Sequence, residues 1–581
     1  MRWAGRVPLH LGLPVALAAG VRLAHFLFLA ARDPLFRHPV VDSLYHAREA
    51  LAILERGVLL PGSGAFYKGP LYSYILAADF AAFGAAAGVA AGRLFSLLCG
   101  CAAVYLAARI AERLGGPRAA MIAGVAFALY GTAVFYDTAL LQVSLTVLLL
   151  LAAADRLMAA GAGARPERRL ACAGALLGLL ALARADGLLA LAGGAVWAAF
   201  AARRGAWPGL GAARALALVV VPAVVVIAPA TFRNAVLERD PVLISWNGGI
   251  NLFMGNDPAF DQASGNWHPD LSWMRLYDAP ADLGLARGAD HQRFFVRQAL
   301  GAALEHPART ARILARKALL LFGAYEIANN QRYDEARAHS PVLAVLMFHA
   351  GRFSLPFSVA GPLLAAGLVL AAGRLRAPAG PLAALATAWA LTPVLFFNTA
   401  RFRLPAILLL LPLAAAGWAA RPAAGDRRRA GLAAGAALLV LAVGIATFPA
   451  HPQLPPSEEL NLADVADQEG READALAWRR RAVERDPRDP LARVRLADTL
   501  RVNGRCDEAL AHYAAVTERD DLAAEWRLAA IRSMARCLAA LGRPAQAVDW
   551  YERFLAADPD QPRTGTRPDF HLRGVPPLQA C

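Results

Sequence analysis

The chain has 581 residues, 57% of them hydrophobic and 18% charged, and its 60 Lys and Arg outnumber its 45 Asp and Glu. A mean hydropathy of +0.40 excludes an ordinary soluble globule, because most of such a chain prefers lipid to water. The basic excess falls in short connectors between apolar runs, a placement that orients helices in a bilayer, so no nucleic-acid partner is expected.

The first apolar run, near 7–31, follows Arg2 and Arg6 and is interrupted by Arg22 and His25, features of a retained span rather than a cleaved leader. Further runs fall near 92–110, 119–136, 139–157, 170–184, 186–202, 212–231, 354–372, 381–398, 404–420 and 430–448. At about twenty residues per crossing they give about eleven spans. The short segment 70–83 reads as an interfacial or re-entrant helix. The segment 310–327, with Arg312, Arg316 and Lys317 along one edge, reads as a helix lying on the membrane. With both left out, the basic clusters at Arg2–Arg6, Arg109–Arg118, Arg156–Arg169, Arg203–Arg214, Arg374–Arg376 and Arg421–Arg429 share the cytoplasmic face. The outer face then receives the loops 32–91 and 232–353, the turn at Asp137, Arg401-Phe402-Arg403, and everything after 449.

The chain divides by composition into a membrane domain, 1–450, a charged helical domain, 451–560, and a tail, 561–581. In the second domain Gly470-Arg471 leads to Ala475-Leu476, and Gly504-Arg505, 34 residues on, leads to Ala509-Leu510. Gly542-Arg543 with Ala547-Val548 is a third copy, four residues late; Tyr513 and Tyr551 share an offset, and Asp486-Pro487 and Asp558-Pro559 close two units. The pattern resembles tetratricopeptide repeats, helix pairs that stack into an α-solenoid with a concave face for a protein partner, or that serve as a stabilising cap. The fold class expected is therefore all-α, a polytopic helical bundle followed by a helical solenoid.

Cys99, Cys101 and Cys172 lie in apolar runs, Cys581 is terminal, and Cys506 and Cys537 fall in adjacent repeats, where an oxidising compartment would permit a disulfide. No Cys or His spacing points to zinc, and no metal site is assigned, although outer-face Asp and Asn leave a divalent cation open. No glycine-rich nucleotide loop or Ser-His-Asp pattern stands out.

The first outer loop carries the chemistry. Asp42, opening a helix over Ser43–Arg56, is a candidate general base, and Lys68, between Tyr67 and Gly69-Pro70, is a candidate cation for an anionic leaving group. A carboxylate at a helix start is also favoured by the helix dipole, and a membrane-edge lysine also snorkels. Asp137, after Phe135-Tyr136, is a candidate for binding a substrate hydroxyl or helping the nucleophile, or a plain helix-start carboxylate, and Arg401 and Arg403 are candidate phosphate partners or membrane-edge anchors. Tyr45 and Tyr67 in the first loop, and Trp246, Asn251 and Asn256 in the second, suit sugar recognition by stacking and by hydrogen bonds to hydroxyls. Asn-Gly and Gly-Gly in that second loop are also plain turn signals.

These residues, in this order, carry a family resemblance. Asp42, Tyr67-Lys68-Gly69-Pro70-Leu71-Tyr72, the run through Phe83-Gly84, Phe135-Tyr136-Asp137 and Arg401-Phe402-Arg403-Leu404-Pro405 together resemble the GT-C membrane glycosyltransferases. The branch resembled is that of protein O-mannosyltransferases and lipid A aminoarabinose transferases, over about 7–420. The resemblance implies inverting transfer of a sugar from a polyprenyl-phosphate donor to a glycan, lipid or protein acceptor on the outer face of a bacterial inner membrane. It implies Asp42 as base and Lys68 as the phosphate-contacting lysine. Two positions depart from the pattern: Gly69 stands where relatives have a proline, and Ser43 where many have Glu. Two other readings stay open: a polymerase or ligase of cell-surface polysaccharide, and a non-catalytic scaffold that presents the repeats.

Overall fold

A helix of 58 residues, Leu71–Ala128, would run about 87 Å if straight, well beyond the about 30 Å of a bilayer core. It does not stay straight. The backbone breaks at Gly84 (φ 75°) and Gly116 (φ 77°), conformations that glycine adopts without a Cβ penalty. Packing across Gly84 is symmetric: Gly88 faces Phe80, Gly92 faces Leu76, and the Tyr72 and Ser96 hydroxyls meet at 3.2 Å. Across Gly116, Gly124 faces Ala108 in the same way. The trace is therefore three antiparallel segments, and the expected re-entrant segment at 70–83 is the first arm of a helical hairpin.

The structure, a computed structural model, describes residues 8–161, 165–258, 260–261, 266–267, 280–281, 283–372, 379–420, 427–449, 457–519, 522 and 524–557. The tail 561–581, Arg374–Arg376 and Asp558-Pro559 lie outside them. The chain splits into two compact units, the first comprising Met1–Gly265 and Pro280–Pro452. Among the described residues six helices are long and apolar enough to cross a membrane: Leu9–Arg32, Leu71–Ala128, Val143–Ala160, Ala212–Leu237, Ala400–Ala419 and Arg427–Ala446. Gly187–Arg203, Phe357–Ala371 and Gly380–Leu395 are shorter apolar helices, and Pro166–Ala183 begins with charged Glu167, Arg168 and Arg169. Every one of the eleven expected runs is helical, and the unit is an all-α polytopic membrane bundle.

Small residues let these helices meet backbone to backbone. A Cβ at Gly174 would stand 2.1 Å from the Val219 carbonyl oxygen, seating Pro166–Ala183 on Ala212–Phe232, and one at Gly417 would stand 2.0 Å from that of Gly367. Several charges inside the bundle are compensated. The Arg22 guanidinium donates from Nε to Asp137 Oδ2 at 2.7 Å and from Nη1 to the Ala128 carbonyl at 3.0 Å. Asp137 fits there because Gly100 opposite has no side chain; a Cβ would lie 2.3 Å from the carboxyl carbon. Arg93 donates to the carbonyls of Phe36, Thr138 and Leu35. Lys317 departs from the expected exposed edge of a surface helix. It lies wholly buried on Pro307–Leu320 and donates to Asn256 Oδ1 and to the carbonyls of Gly255, Leu395 and Phe396, closing the ends of two neighbouring helices.

The second unit is a helical array: Ser457–Gln468, Glu472–Arg485, Pro490–Val502, Cys506–Thr517, Ala524–Ala540 and Pro544–Ala557. The glycines of the sequence repeat, Gly470, Gly504 and Gly542, have φ of 72°, 73° and 71°. After each one the next arginine donates its N–H back to a carbonyl five residues earlier: Ala466, Leu500 and Leu538. This is the glycine-dependent C-terminal helix stop, made three times over. Ala475 and Ala509, five residues after their glycines, are fully buried, and Tyr513 donates to Asp498 at 2.6 Å.

Removing one partner of a buried ion pair strands the other charge. Arg22→Met is therefore expected to cost about 3–5 kcal/mol, read as a lowered melting temperature in detergent. Arg22→Met with Asp137→Leu is expected to restore most of that loss, giving a large coupling in the double-mutant cycle.

Candidate functional site

The segment before the Gly84 hairpin delivers the first acid. Asp42 is the first residue of the helix Asp42–Arg56, and Val41 before it holds a positive φ of 51°, an uncommon conformation for a β-branched residue that turns the chain sharply into the helix. The Lys68 ammonium donates to Asp42 Oδ1, and Arg401 Nη1, from the first turn of Ala400–Ala419, donates to Oδ2 at 2.6 Å. Burial alone would raise the Asp42 pKa, but the Lys68 and Arg401 charges, with hydrogen bonds from Lys68 and Asn330, hold it well below the ordinary carboxylate range. Side-chain exposures of 18% for Asp42, 14% for Lys68 and 10% for Arg401 leave the triad within reach of solvent.

Aromatic rings surround it. Lys68 Nζ lies 5.1 Å from the centre of the Tyr45 ring and 5.8 Å from that of Tyr67, and Tyr67 packs against Trp246 at 4.7 Å. Trp246 and Asn247 donate backbone N–H groups to the carbonyls of Phe66 and Tyr67, joining the two loops. Arg233, at the start of a π turn over Arg233–Leu237, donates to the carbonyls of Leu59, Leu60 and Gly64, while Asn234 accepts from Phe66 N and donates to Val242 and Ile244. These two residues brace the loop that carries Lys68. Gly69 has no room for a side chain: a Cβ there would lie 2.6 Å from the carbonyl oxygens of both Ala183 and Leu182. The absent proline is thus explained by the end of Pro166–Ala183, which occupies that space.

Of the residues singled out in sequence, Asp42, Lys68, Arg401, Tyr45, Tyr67 and Trp246 come together. Asp137 turns instead to Arg22. Arg403 is buried on Glu326 at 3.0 Å and donates to the Gly323 carbonyl. Asn256 serves Lys317, and Asn251 lies half-buried within the helix Asn247–Asn256. Four neighbours were not foreseen. His46 and Glu49 follow Asp42 by four and seven residues, a helical spacing that places them on its face. His46 meets Ser73 Oγ at 2.9 Å and burial pushes its pKa down to about 3. Glu49 accepts from the Tyr45 hydroxyl at 2.8 Å, and burial raises its pKa. Asn330 sits at a positive-φ turn (75°). Arg184 lies 4.4 Å from the Phe402 ring centre, with Arg401 5.0 Å from the same ring; no local motif marks it. Among the described residues no group of three or more His, Cys, Asp or Glu is arranged to hold a metal ion.

Comparison with known proteins gives two kinds of match. A tetratricopeptide repeat model matches residues 490–560, and no curated protein matches the chain. Among solved structures, the archaeal oligosaccharyltransferase AglB from Archaeoglobus fulgidus is similar at 16% identity and a TM-score of 0.39, over 79% of this chain and 59% of that one. ArnT from Cupriavidus metallidurans is similar at 18% identity and a TM-score of 0.34, over 79% of this chain and 80% of that one. Both are GT-C proteins, the group that the sequence resembles. The chain thus spans less than two thirds of the length of the oligosaccharyltransferase.

Two outcomes are expected from this geometry. Gly69→Ala forces the Lys68 loop off the helix end and costs about 1–3 kcal/mol, as overpacking does, measured by thermal unfolding. Asp42 has a folded pKa below its unfolded value of about 3.9, so its stabilisation is complete above that value and is lost as the pH falls through the folded one. The difference in melting temperature between the wild type and Asp42→Asn is therefore expected to stay level from about pH 5 to 8 and to close below about pH 4.

Proposed function

We propose that this protein is a membrane glycosyltransferase that moves a sugar from a polyprenyl-phosphate donor to an acceptor on the outer face of a bacterial inner membrane. The observation that carries the reading is one carboxylate held between two cations, accessible to solvent at the edge of an apolar bundle. Such a set supplies both halves of an acyl-free displacement. The acceptor oxygen attacks the anomeric carbon, a new C–O bond forms there, and its proton passes to Asp42. The bond from that carbon to the donor phosphate oxygen breaks, and the electron pair leaves on the phosphate, whose charge Lys68 and Arg401 neutralise. One displacement inverts the anomeric centre. Tyr67 and Trp246 offer faces for the sugar ring, and Arg233 and Asn234 position the loop without touching substrate.

Asp137 and Arg403 act in this scheme by holding the bundle rather than by handling substrate, and no step requires a metal. The tetratricopeptide repeats supply a surface for an acceptor protein or an assembly partner, on the outer side if the charge parity of the connectors sets the topology.

Turnover of labelled polyprenyl-phosphate sugars by the purified protein in lipid, read as release of polyprenyl phosphate, tests the proposal. Asp42→Asn is expected to lower kcat by about 10² to 10⁴-fold, the usual worth of a positioned base, and Lys68→Ala to lower kcat and raise the donor KM. Absence of turnover with an envelope extract as acceptor source, together with an unchanged surface glycan profile in an Asp42→Asn strain, would establish the scaffold reading instead.

A further inference from the structure

The two cations assigned to the donor phosphate are already engaged. Lys68 is on Asp42 Oδ1 and Arg401 is on Oδ2, so each oxygen of the proposed base already holds an N–H of a phosphate-binding group. A phosphate oxygen and a carboxylate oxygen are similar acceptors for an ammonium or a guanidinium, with phosphate carrying the greater charge. We propose that Asp42 is an intramolecular stand-in for the donor phosphate: it occupies the anion site in the resting protein, and arrival of a polyprenyl phosphate displaces it, freeing the carboxylate to act as base only when a donor is present. The inference rests on the proposed function for the identity of the anion, and its logic is that of one anion site with two claimants.

Several features fit an exchange rather than a fixed structural pair. Two buried ion pairs of the bundle are sealed: the Arg22 and Asp137 side chains are 0% and 5% exposed, and those of Arg403 and Glu326 are both 4% exposed. The Asp42 triad is several times more open. Its three members come from separate elements: a helix start, a loop and a second helix start. Lys68 also has somewhere to stay when Asp42 lets go, because the Tyr45 and Tyr67 rings flank its ammonium, and Arg401 keeps its contact with Phe402. The cations are thus held in place by groups other than the acid. Within the triad two cations share one carboxylate, an excess of positive charge, before the neighbouring Glu49 is counted, that favours a more highly charged anion. Chemically, the arrangement keeps the base neutralised while the sugar site is empty and exposes it at the moment the leaving group is bound.

The test reads binding, not turnover. Polyprenyl phosphate without a sugar is titrated into purified full-length wild type, Asp42→Asn and Asp42→Ala in detergent. Removing the internal competitor is expected to tighten binding by about tenfold or more in both variants, a change of about 1.4 kcal/mol. A second measurement uses the wild type alone: Asp42 is labelled with a water-soluble carbodiimide, with and without polyprenyl phosphate, and the product is quantified by peptide mass spectrometry. Displacement predicts that labelling of Asp42 rises when the lipid phosphate binds, since the sugar position is left vacant. Equal or weaker binding by the variants, or protection of Asp42 by the lipid phosphate, would overturn the inference. A protein that shows tighter binding in the variants yet transfers no sugar would refute the proposed function and leave the displacement standing.

Discussion

Charge in an apolar bundle must be compensated, and the way each ionisable group meets that demand organises this molecule. Taking an arginine or an aspartate out of water costs several kcal/mol unless geometry returns it. Arg22 and Asp137 meet in a slot made by Gly100, Arg403 meets Glu326, Arg93 spends its donors on three carbonyls, and Lys317 finds four oxygens at two helix ends. Each arrangement joins segments distant in sequence, so the polar minority of the bundle fixes which helices are neighbours while the apolar majority supplies cohesion. The Asp42 triad obeys the same demand but is left partly open, with two cations on one carboxylate. That difference in closure sets the triad apart from the groups that hold the fold.

Much of this was legible in the sequence, and the reasons are physical. Apolar runs of membrane length announce helices because no other structure satisfies the backbone inside lipid. The 34-residue glycine spacing announced the repeats because each helix pair needs the same left-handed residue to stop it, and Gly470, Gly504 and Gly542 do that with nearly equal φ. Asp42 and Lys68 stood out because both are charged, both lie in a loop, and both fall beside aromatics. What stayed hidden was pairing. Nothing within a short window distinguishes Asp137, which turns inward to an arginine 115 residues away, from Asp42, whose partner Arg401 is 359 residues away. Arg401 and Arg403 are two residues apart and were read as equals, yet helical geometry points them to different partners, one to the open triad and the other to Glu326. Arg184 was missed altogether because its contribution is a ring contact with Phe402, which leaves no trace in local spacing.

The loops show how precision is obtained from segments without regular structure. Arg233 and Asn234 emerge where the helix Ala212–Phe232 widens into a π turn, and their side chains hold the backbone of the loop that carries Lys68. The loop's tethers are concentrated on these two residues. A braced loop keeps Lys68 in register with Asp42 and Arg401.

Gly69 carries a consequence for how such chains diverge. The carbonyls of Leu182 and Ala183 stand where its side chain would be, so the identity of residue 69 and the position at which the helix Pro166–Ala183 ends are one variable, not two. A lineage that acquires a bulkier residue here must first withdraw that helix end, and a lineage that has extended the helix end is committed to glycine. Two stretches of sequence more than a hundred residues apart are therefore expected to change together or not at all, and the order in which they change is set by space alone.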